Sequence, residues 1–506
     1  METQARSTAG ALAAAVAGSR LAGYAGAPVT GLAYDSRQIR PGWCFAGLVG
    51  ADLDGHDYAA AAVDHGASVL LVERELPLPA AQIVVADSRA ALAQAATALY
   101  GDPSRELTVA GVTGTDGKTT TSFIADAILR RAGERTGLIG TVAIRVGDDE
   151  DLHATRQTTP ESADIQRYLR IMADRGIRRV TLEATSHGLA MHRLDGVRFA
   201  IGAVTNITSE HLDYHGTVER YRRAKGILFD RVSEAGGVAV VNADDEGARA
   251  MLPHAAGARV LTYSPSGGHA DLRATGIVSD GTGGRFRLET GGWGGADIRL
   301  PLIGGFNVAN ALCAAGITLA QGLTLDQVAD GLRRAPAVPG RMALIDEGQP
   351  FAVVVDYAHT PEPMDQVLML LRGLFPTGRL LCVFGSAGER DREKRPVQGA
   401  VSARLADVSI VTSEDPRFED ADAIIDEIAQ GALAAGAVEG RTLFRDTERR
   451  EAVVRALGMA RPGDCVLLAG KGHEGSIIWG REKRPWDEAT VAREVLHALG
   501  YRGSRG

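Results

Sequence analysis

The sequence predicts an α/β protein of three domains, centred on a parallel sheet that carries a phosphate-binding loop. Three observations carry this expectation. At 506 residues the chain is too long for one hydrophobic core, and about 150 residues per domain gives roughly three. Short apolar runs alternate with Ala-rich helical stretches over much of its length. Between one such run and the next helix lies Gly111–Thr120, a Gly-rich turn.

In chain order, the segment Met1 to Gly18 is Ala-rich but carries Glu2 and no basic n-region, so a short helix is expected there instead of a signal peptide. A strand is predicted at Ala81–Ala86 and a helix at Arg89–Tyr100. Gly101-Asp102-Pro103 punctuates the chain as a linker. The next strand, Leu107–Val112, feeds the Gly-rich turn and a helix from Thr119 to Ala132. Arg179–Glu183, Ile201–Asn206 and Gly237–Asn242 read as buried parallel strands. Between Ser264 and Pro301 the pattern turns Gly-rich and alternating, with strands at Arg285–Glu289 and Asp297–Leu302, which predicts a small antiparallel insertion. Pro336 to Gly340 marks a second linker. Strands at Phe351–Asp356, Leu380–Phe384, Val408–Thr412 and Cys465–Ala469 then restart the α/β rhythm. The expected domains are 1–104, 105–337 and 338–506.

Composition narrows the function classes. Apolar residues make up 45% and charged residues 23%, the profile of a soluble globular protein, and a cytoplasmic one is expected. No run approaches the roughly 18 apolar residues of a membrane helix. A net charge of −8 without a basic run argues against nucleic acid. Cys44, Cys313, Cys382 and Cys465 form no CxxC pair and are expected as small buried hydrophobes in a reducing compartment. Of 55 Lys and Arg residues only five are Lys: Lys118, Lys225, Lys394, Lys471 and Lys483. On a solvated face Arg replaces Lys easily. A compact ammonium, or an amine that sheds its proton, is something Arg does not supply. All but Lys483 have surroundings that point to such a need.

Residues 111–120 read Gly-Val-Thr-Gly114-Thr115-Asp116-Gly117-Lys118-Thr119-Thr120. The glycines let backbone N–H groups converge on phosphate oxygens. Lys118 supplies a cation to the β/γ-phosphates, and the Thr119 hydroxyl can ligate Mg²⁺. The spacing is a variant of the ordinary loop, GxxGxxGKTT. Downstream come Glu183-Ala-Thr185-Ser-His187, then Thr205 to Gly216 with His211 and His215, then Tyr221-Arg-Arg-Ala-Lys225. Glu183 and Asn206 fall at or near strand ends, where open α/β sheets bind ligands. Oxygen donors beside phosphate suit Mg²⁺. Zinc on His211 and His215 would need a helix, whereas Gly216 and the polar run predict a loop.

These strings resemble the Mur ligases, and within them the MurE type, the UDP-MurNAc-dipeptide:amino acid ligases. The resemblance spans about residues 30 to 495. It implies a three-domain Mur ligase architecture, with a central P-loop ATPase domain and a C-terminal Rossmann-like domain. ATP and Mg²⁺ are the implied cofactors. Lys118, Glu183, His211 and Lys225 are implied to be catalytic, and Thr119, Glu183, His211 and a carbamoylated Lys225 to hold metal. ATP contacts beyond the loop fall on Asn307, Arg341 and Asp356. Ser36, Thr158, Thr159, Thr185 and Arg193 are assigned to the UDP-MurNAc-dipeptide. The family's usual loop Asn is Asp116 here, and Thr185 stands where Ser is usual.

Arg390, Glu414, Asp415, Pro416, Arg417, Gly470 and Glu474 are assigned by the same resemblance to the incoming amino acid. The usual Asp-Asn-Pro-Arg string is Glu414-Asp415-Pro416-Arg417 in this chain. Arg417 is suited to a distal carboxylate and Glu474 to an ammonium, which favours meso-diaminopimelate. Asp415 adds a negative charge that suits L-lysine or L-ornithine. The expected reaction is amide formation on the D-Glu γ-carboxylate of UDP-MurNAc-L-Ala-D-Glu through an acyl phosphate, by a monomer. Folate polyglutamylation and a catalytically inactive nucleotide-binding protein remain the alternatives.

Overall fold

The structure is a computed structural model and describes residues 7–50, 53–152, 157–208, 210 and 212–503. It contains no cis peptide bond among the described residues. Contacts group the chain into two compact units. The first comprises residues 1–275, 288–296 and 309–331, and the second residues 276–287, 297–308 and 332–506.

Two large sheets lie in the first unit, beside an antiparallel pair of Ser7–Thr8 with Pro28–Val29. The N-terminal one has five strands, in the order Arg20–Ala22, Ala81–Val84, Ala67–Val72, Trp43–Ala46, Gly31–Ala33. All pair in parallel except the Arg20–Ala22 edge. The helix Ala9–Ala15 stands where the Ala-rich start predicts one, and Thr8 Oγ1 caps it by accepting from Ala11 N–H at 3.2 Å. Helix Ser88–Leu99 packs its Ala- and Leu-rich face on this sheet.

The central sheet begins Asp149–Leu152, Ala143–Val146, Thr136–Ile139, Arg179–Glu183, Thr108–Thr113, Ile201–Val204, Val238–Asn242, Arg259–Ser264 and continues into Leu272–Asp280, paired in parallel with the last of these. Beyond its antiparallel edge, formed by the first two strands, the pairing is parallel. The strands are Val-, Leu- and Ala-rich because helices cover both faces and no polar alternation is tolerated. From Thr108–Thr113 the chain first builds toward Thr136–Ile139 and later crosses to Ile201–Val204 on the other side. Such a reversal opens a crevice at the carboxyl end of the central strand. The Gly-rich turn and helix Lys118–Arg131 begin at that end.

The region predicted as an antiparallel insertion holds three successive strands, Leu272–Asp280, Gly283–Thr290 and Gly294–Leu300. In the second unit a six-stranded sheet follows the order Ala343–Leu344, Ala352–Asp356, Cys465–Ala469, Leu380–Phe384, Val408–Thr412, Leu443–Asp446. Only its first strand is antiparallel. Most predicted strands match to within two residues. One expectation fails: the stretch before Gly216 was expected as a loop and forms the one-turn helix Leu212–His215. A positive φ of 76° at Gly216 ends that turn, so the glycine acts as a stop signal and not as a mark of loop throughout. All four cysteines are buried and free, as expected. No helix among the described residues is long and apolar enough to cross a membrane.

Candidate active site

The phosphate loop is built by two glycines whose side-chain positions are already occupied. A Cβ on Gly114 would lie 1.8 Å from Thr205 Oγ1, and one on Gly117 would lie 2.2 Å from Asn310 Oδ1. Gly117 also has φ 80°, and Gly114 φ 152°, so residues with a side chain fit neither place. Around them, Thr115 N–H donates to Asn206 O at 2.8 Å, and Asp116 N–H to Asn206 Oδ1 at 3.0 Å. Asp116 itself is exposed, so its carboxylate is solvated. The Lys118 ammonium donates to Gly114 O at 2.9 Å and Thr115 O at 2.7 Å, curling over its own loop.

Glu183 ends the neighbouring strand with its carboxylate wholly buried. Its Oε2 accepts from Thr119 Oγ1 at 3.0 Å and Thr141 Oγ1 at 2.9 Å, and its Oε1 from Thr141 N–H at 3.0 Å. Burial pushes the acid up, opposed by the Thr141 and Thr119 hydrogen bonds and the Lys118 charge. Thr141 escaped the sequence reading, although it follows strand Thr136–Ile139 at the same sheet edge as the loop. The oxygens of Thr119 and Glu183, hard and mutually adjacent, fit Mg²⁺, and a cation there would offset the cost of burying the carboxylate.

Helix Val218–Glu234 brings in Lys225, which is 1% exposed. Its Nζ donates to Gly114 O at 2.7 Å and sits 4.5 Å from the centroid of the Tyr221 ring. Burial, and then Lys118, hold this amine well below the ordinary lysine range. His211 lies outside the described residues. The rings of His187, Tyr214, His215 and Tyr221 form a chain of contacts, from His187–Tyr214 at 4.3 Å to His215–Tyr221 at 5.4 Å. Among the described residues no three His, Cys, Asp or Glu side chains cluster as a metal cage.

The dipeptide residues predicted from sequence also meet here. Thr158 Oγ1 lies 3.0 Å from Thr141 Oγ1. Thr159 Oγ1 donates to Glu183 O at 2.8 Å and lies 2.9 Å from Thr185 Oγ1. Arg193 donates to Thr159 O at 3.1 Å and pairs with Glu161 at 3.0 Å. Glu161 in turn holds Arg89 of the N-terminal sheet region at 3.0 Å. Arg89 carried no motif signal, whereas Glu161 closes the Thr158-Thr-Pro-Glu161 string of the family resemblance. Ser36 is separate, starting a turn capped by Asp35, with its carbonyl 2.9 Å from His65 Nδ1.

In the second unit, Asp356 ends its strand with both oxygens engaged, by Met342 N–H at 2.8 Å and Ala358 N–H at 2.9 Å. Burial raises its carboxyl. Arg341 lies over the Tyr357 ring at 5.3 Å, and Asn307 donates to Ile303 O at 2.7 Å. Glu414 is buried, and its Oε2 has no hydrogen-bond partner among the described residues. Burial raises it to about 7, opposed by Lys394, Lys471 and Arg449. Lys471, 0% exposed, bridges Asp415 at 2.9 Å and Glu474 at 2.5 Å. Asp415 also accepts from Ile478 N–H at 2.9 Å, so its extra charge is spent within the protein. Tyr357 O–H donates to Glu474 at 3.3 Å. Gly470 adjoins the Glu414 carboxyl, Pro416 is buried, Arg417 donates its N–H to Ile478 O at 2.9 Å, and Arg390 is exposed.

A nucleotide loop with a buried carboxylate and a buried lysine behind it belongs to an enzyme, and this one is an ATP-dependent, amide-forming ligase. Its segments 28–100, 112–318 and 340–472 match the Mur ligase family catalytic domain, the Mur ligase middle domain and the Mur ligase glutamate ligase domain. The chain belongs to the Mur ligase family. It is 47% identical to the UDP-N-acetylmuramyl-tripeptide synthetase of Roseiflexus sp. (strain RS-1), over 94% of this chain and 96% of that protein. It is 40% identical to the UDP-N-acetylmuramoyl-L-alanyl-D-glutamate--2,6-diaminopimelate ligase of Geobacillus kaustophilus, covering 93% and 96%. A solved structure of a ligase with that same name superposes with TM-score 0.67 at 32% identity, covering 95% of this chain and 97% of the other.

Proposed function

We propose that the chain joins a diamino acid to the D-Glu γ-carboxylate of UDP-MurNAc-L-Ala-D-Glu, using ATP, in peptidoglycan precursor synthesis. The observation that carries this reading is the convergence of Lys118, Thr119, Glu183 and Lys225 on the mouth of one phosphate loop. Lys118 binds the transferring phosphoryl group, and the loop N–H groups orient it. Thr119, Glu183 and Lys225, the last as its carbamate, would hold Mg²⁺, which would neutralise charge on the phosphates. Thr159, Thr185 and Arg193 seat the acceptor. The acyl phosphate formed on the acceptor is attacked by the amine, and phosphate leaves. Domain boundaries at 104/105 and 337/338 are part of the same proposal. The names of the relatives favour neither folate polyglutamylation nor a catalytically inactive protein.

For the amine donor we take meso-diaminopimelate: several relatives' names specify 2,6-diaminopimelate, and Arg417 offers a carboxylate partner. The test is phosphate release from ATP with UDP-MurNAc-L-Ala-D-Glu plus diaminopimelate, lysine or ornithine separately. Release that needs both acceptor and diaminopimelate, with a ligated product, is expected. Release with lysine or ornithine alone would replace the amino acid and leave the ligase standing. Silence with all three would sink the reading.

Glu414 gives this proposal a pH signature. Its raised pKa means the folded protein favours the protonated acid, so it costs stability as pH rises from about 4.5 through about 7. Lys394, Lys471, Arg449 and Glu474 face the same carboxyl. An ammonium of the donor would bind the ionised form, so KM for the donor is expected to fall as pH rises through about 7. Glu414→Gln is expected to flatten that limb and raise KM about tenfold, the worth of one charge-assisted hydrogen bond. An unchanged profile would remove Glu414 from donor recognition.

A further inference from the structure

Tyr221 is fully buried, and its two ends reach two different parts of the catalytic apparatus. Its hydroxyl lies 3.1 Å from Thr115 Oγ1 of the phosphate loop and donates to Glu210 Oε2 at 3.4 Å. Thr115 Oγ1 also accepts from Thr208 N–H at 3.0 Å. The Tyr221 hydroxyl thus bridges the phosphate loop and Glu210. One helical turn along, at i+4, the Lys225 ammonium sits 4.5 Å over the Tyr221 ring while donating to Gly114 O at 2.7 Å. The His215 ring meets the same tyrosine edge-on at 5.4 Å.

We propose that Tyr221 is a positioning residue that couples the shape of the phosphate loop to the placement of the Lys225 amine. The phenol and Thr208 N–H together fix the Thr115 side chain, while the N–H groups of Thr115 and Asp116 are anchored on Asn206. Among the described residues Lys225 Nζ has one carbonyl as hydrogen-bond partner, and the Tyr221 ring packed against it limits where the nitrogen can sit. The phenol belongs to the loop and the ring belongs to the lysine, so the two roles separate by substitution. This inference rests on reading Gly111–Thr120 as the ATP loop.

The test uses the full chain in the phosphate-release assay, with Tyr221→Phe, Thr115→Val, the pair together, and Tyr221→Leu. Tyr221→Phe keeps the ring and removes the hydroxyl. It is expected to raise KM for ATP about fivefold, the cost of one buried hydrogen bond, with kcat falling by less. Thr115→Val is expected to do the same, and the double variant to be no worse than either, because both remove one interaction. Tyr221→Leu also strips the ring from Lys225 and lets its nitrogen shift, and kcat is expected to drop about a further tenfold or more, so Phe rescues what Leu loses. Additive effects in the pair, or a wild-type KM in Tyr221→Phe, overturn the loop half. Equal kcat in the Phe and Leu variants overturns the lysine half. Should Tyr221→Leu melt early, the Phe and Val cycle decides the loop half, and Tyr221→Met, which keeps the bulk without a ring face, decides the lysine half by the same kcat comparison. Failure of the unsubstituted protein to use ATP would refute the nucleotide reading first, and this inference with it.

Discussion

Lys225→Arg is expected to lower turnover by about three orders of magnitude while leaving the fold intact. A merely cationic role would survive the change, since arginine keeps the charge. The geometry asks for more than charge. Lys225 lies 1% exposed beneath the loop, donating to one carbonyl at 2.7 Å and packed against a ring face. Burial and the nearby Lys118 hold its pKa well below the ordinary lysine value. A larger share of neutral amine is therefore present near pH 7 than in a solvated lysine, and only the neutral amine attacks CO₂. Guanidinium keeps its proton at any accessible pH and forms no carbamate. The loss of an anionic metal ligand is what sets the expected size, at the upper end of the roughly 10²–10³ of removing one preorganised electrostatic contact. Two measurements check it: kcat of the variant, and a carbamate carbon signal in the wild type supplied with ¹³CO₂ that is missing from the variant. Activity of Lys225→Arg within tenfold of the wild type would rule the carbamate out.

The part of this site that sequence made legible is the part that depends on local chain chemistry. Gly114 and Gly117 are glycine because Thr205 and Asn310 occupy the space of a Cβ, and a strand–turn–helix context exposes that need in one dimension. Scarcity made the lysines readable. Lys225 and Lys471 are both buried, Lys118 lies on the loop, Lys394 donates to His359 O at 3.1 Å, and Lys483, the one set aside, is exposed. What stayed hidden depends on contacts between distant segments. Thr141 reaches Glu183 across 42 positions, and Tyr221 reaches Thr115 across 106. Threonine after a strand and tyrosine in a helix carry no mark of such partners. The charge of Asp415 was readable as a residue type, whereas its neutralisation by Lys471, 56 positions on, was not.

Arg449→Met is expected to destabilise the second unit by about 3–5 kcal/mol, the usual cost of leaving a buried ion without its partner. Arg449 and Glu488 are both fully buried and share two oxygens, at 2.8 and 2.9 Å, with Trp486 Nε1 donating to the same carboxylate at 2.6 Å. A melting temperature lower by roughly 10 °C is the expected reading for a unit of this size. The guanidinium does a second thing. It donates to Ala469 O at 2.8 Å and to Ser413 O at 3.4 Å, the carbonyls immediately before Gly470 and Glu414. Two loops that carry donor-binding residues are thus tied to one side chain. Replacing the pair together, Arg449→Met with Glu488→Leu, removes the unpaired charge and is expected to restore most of the stability. It restores no grip on the two carbonyls, so KM for the amine donor should stay raised, by about tenfold, in the stable double variant. Recovery of both stability and KM would reduce the pair to a packing element. A single variant that melts with the wild type would show that the buried pair contributes nothing, and with it the claim that Arg449 holds the donor loops in register.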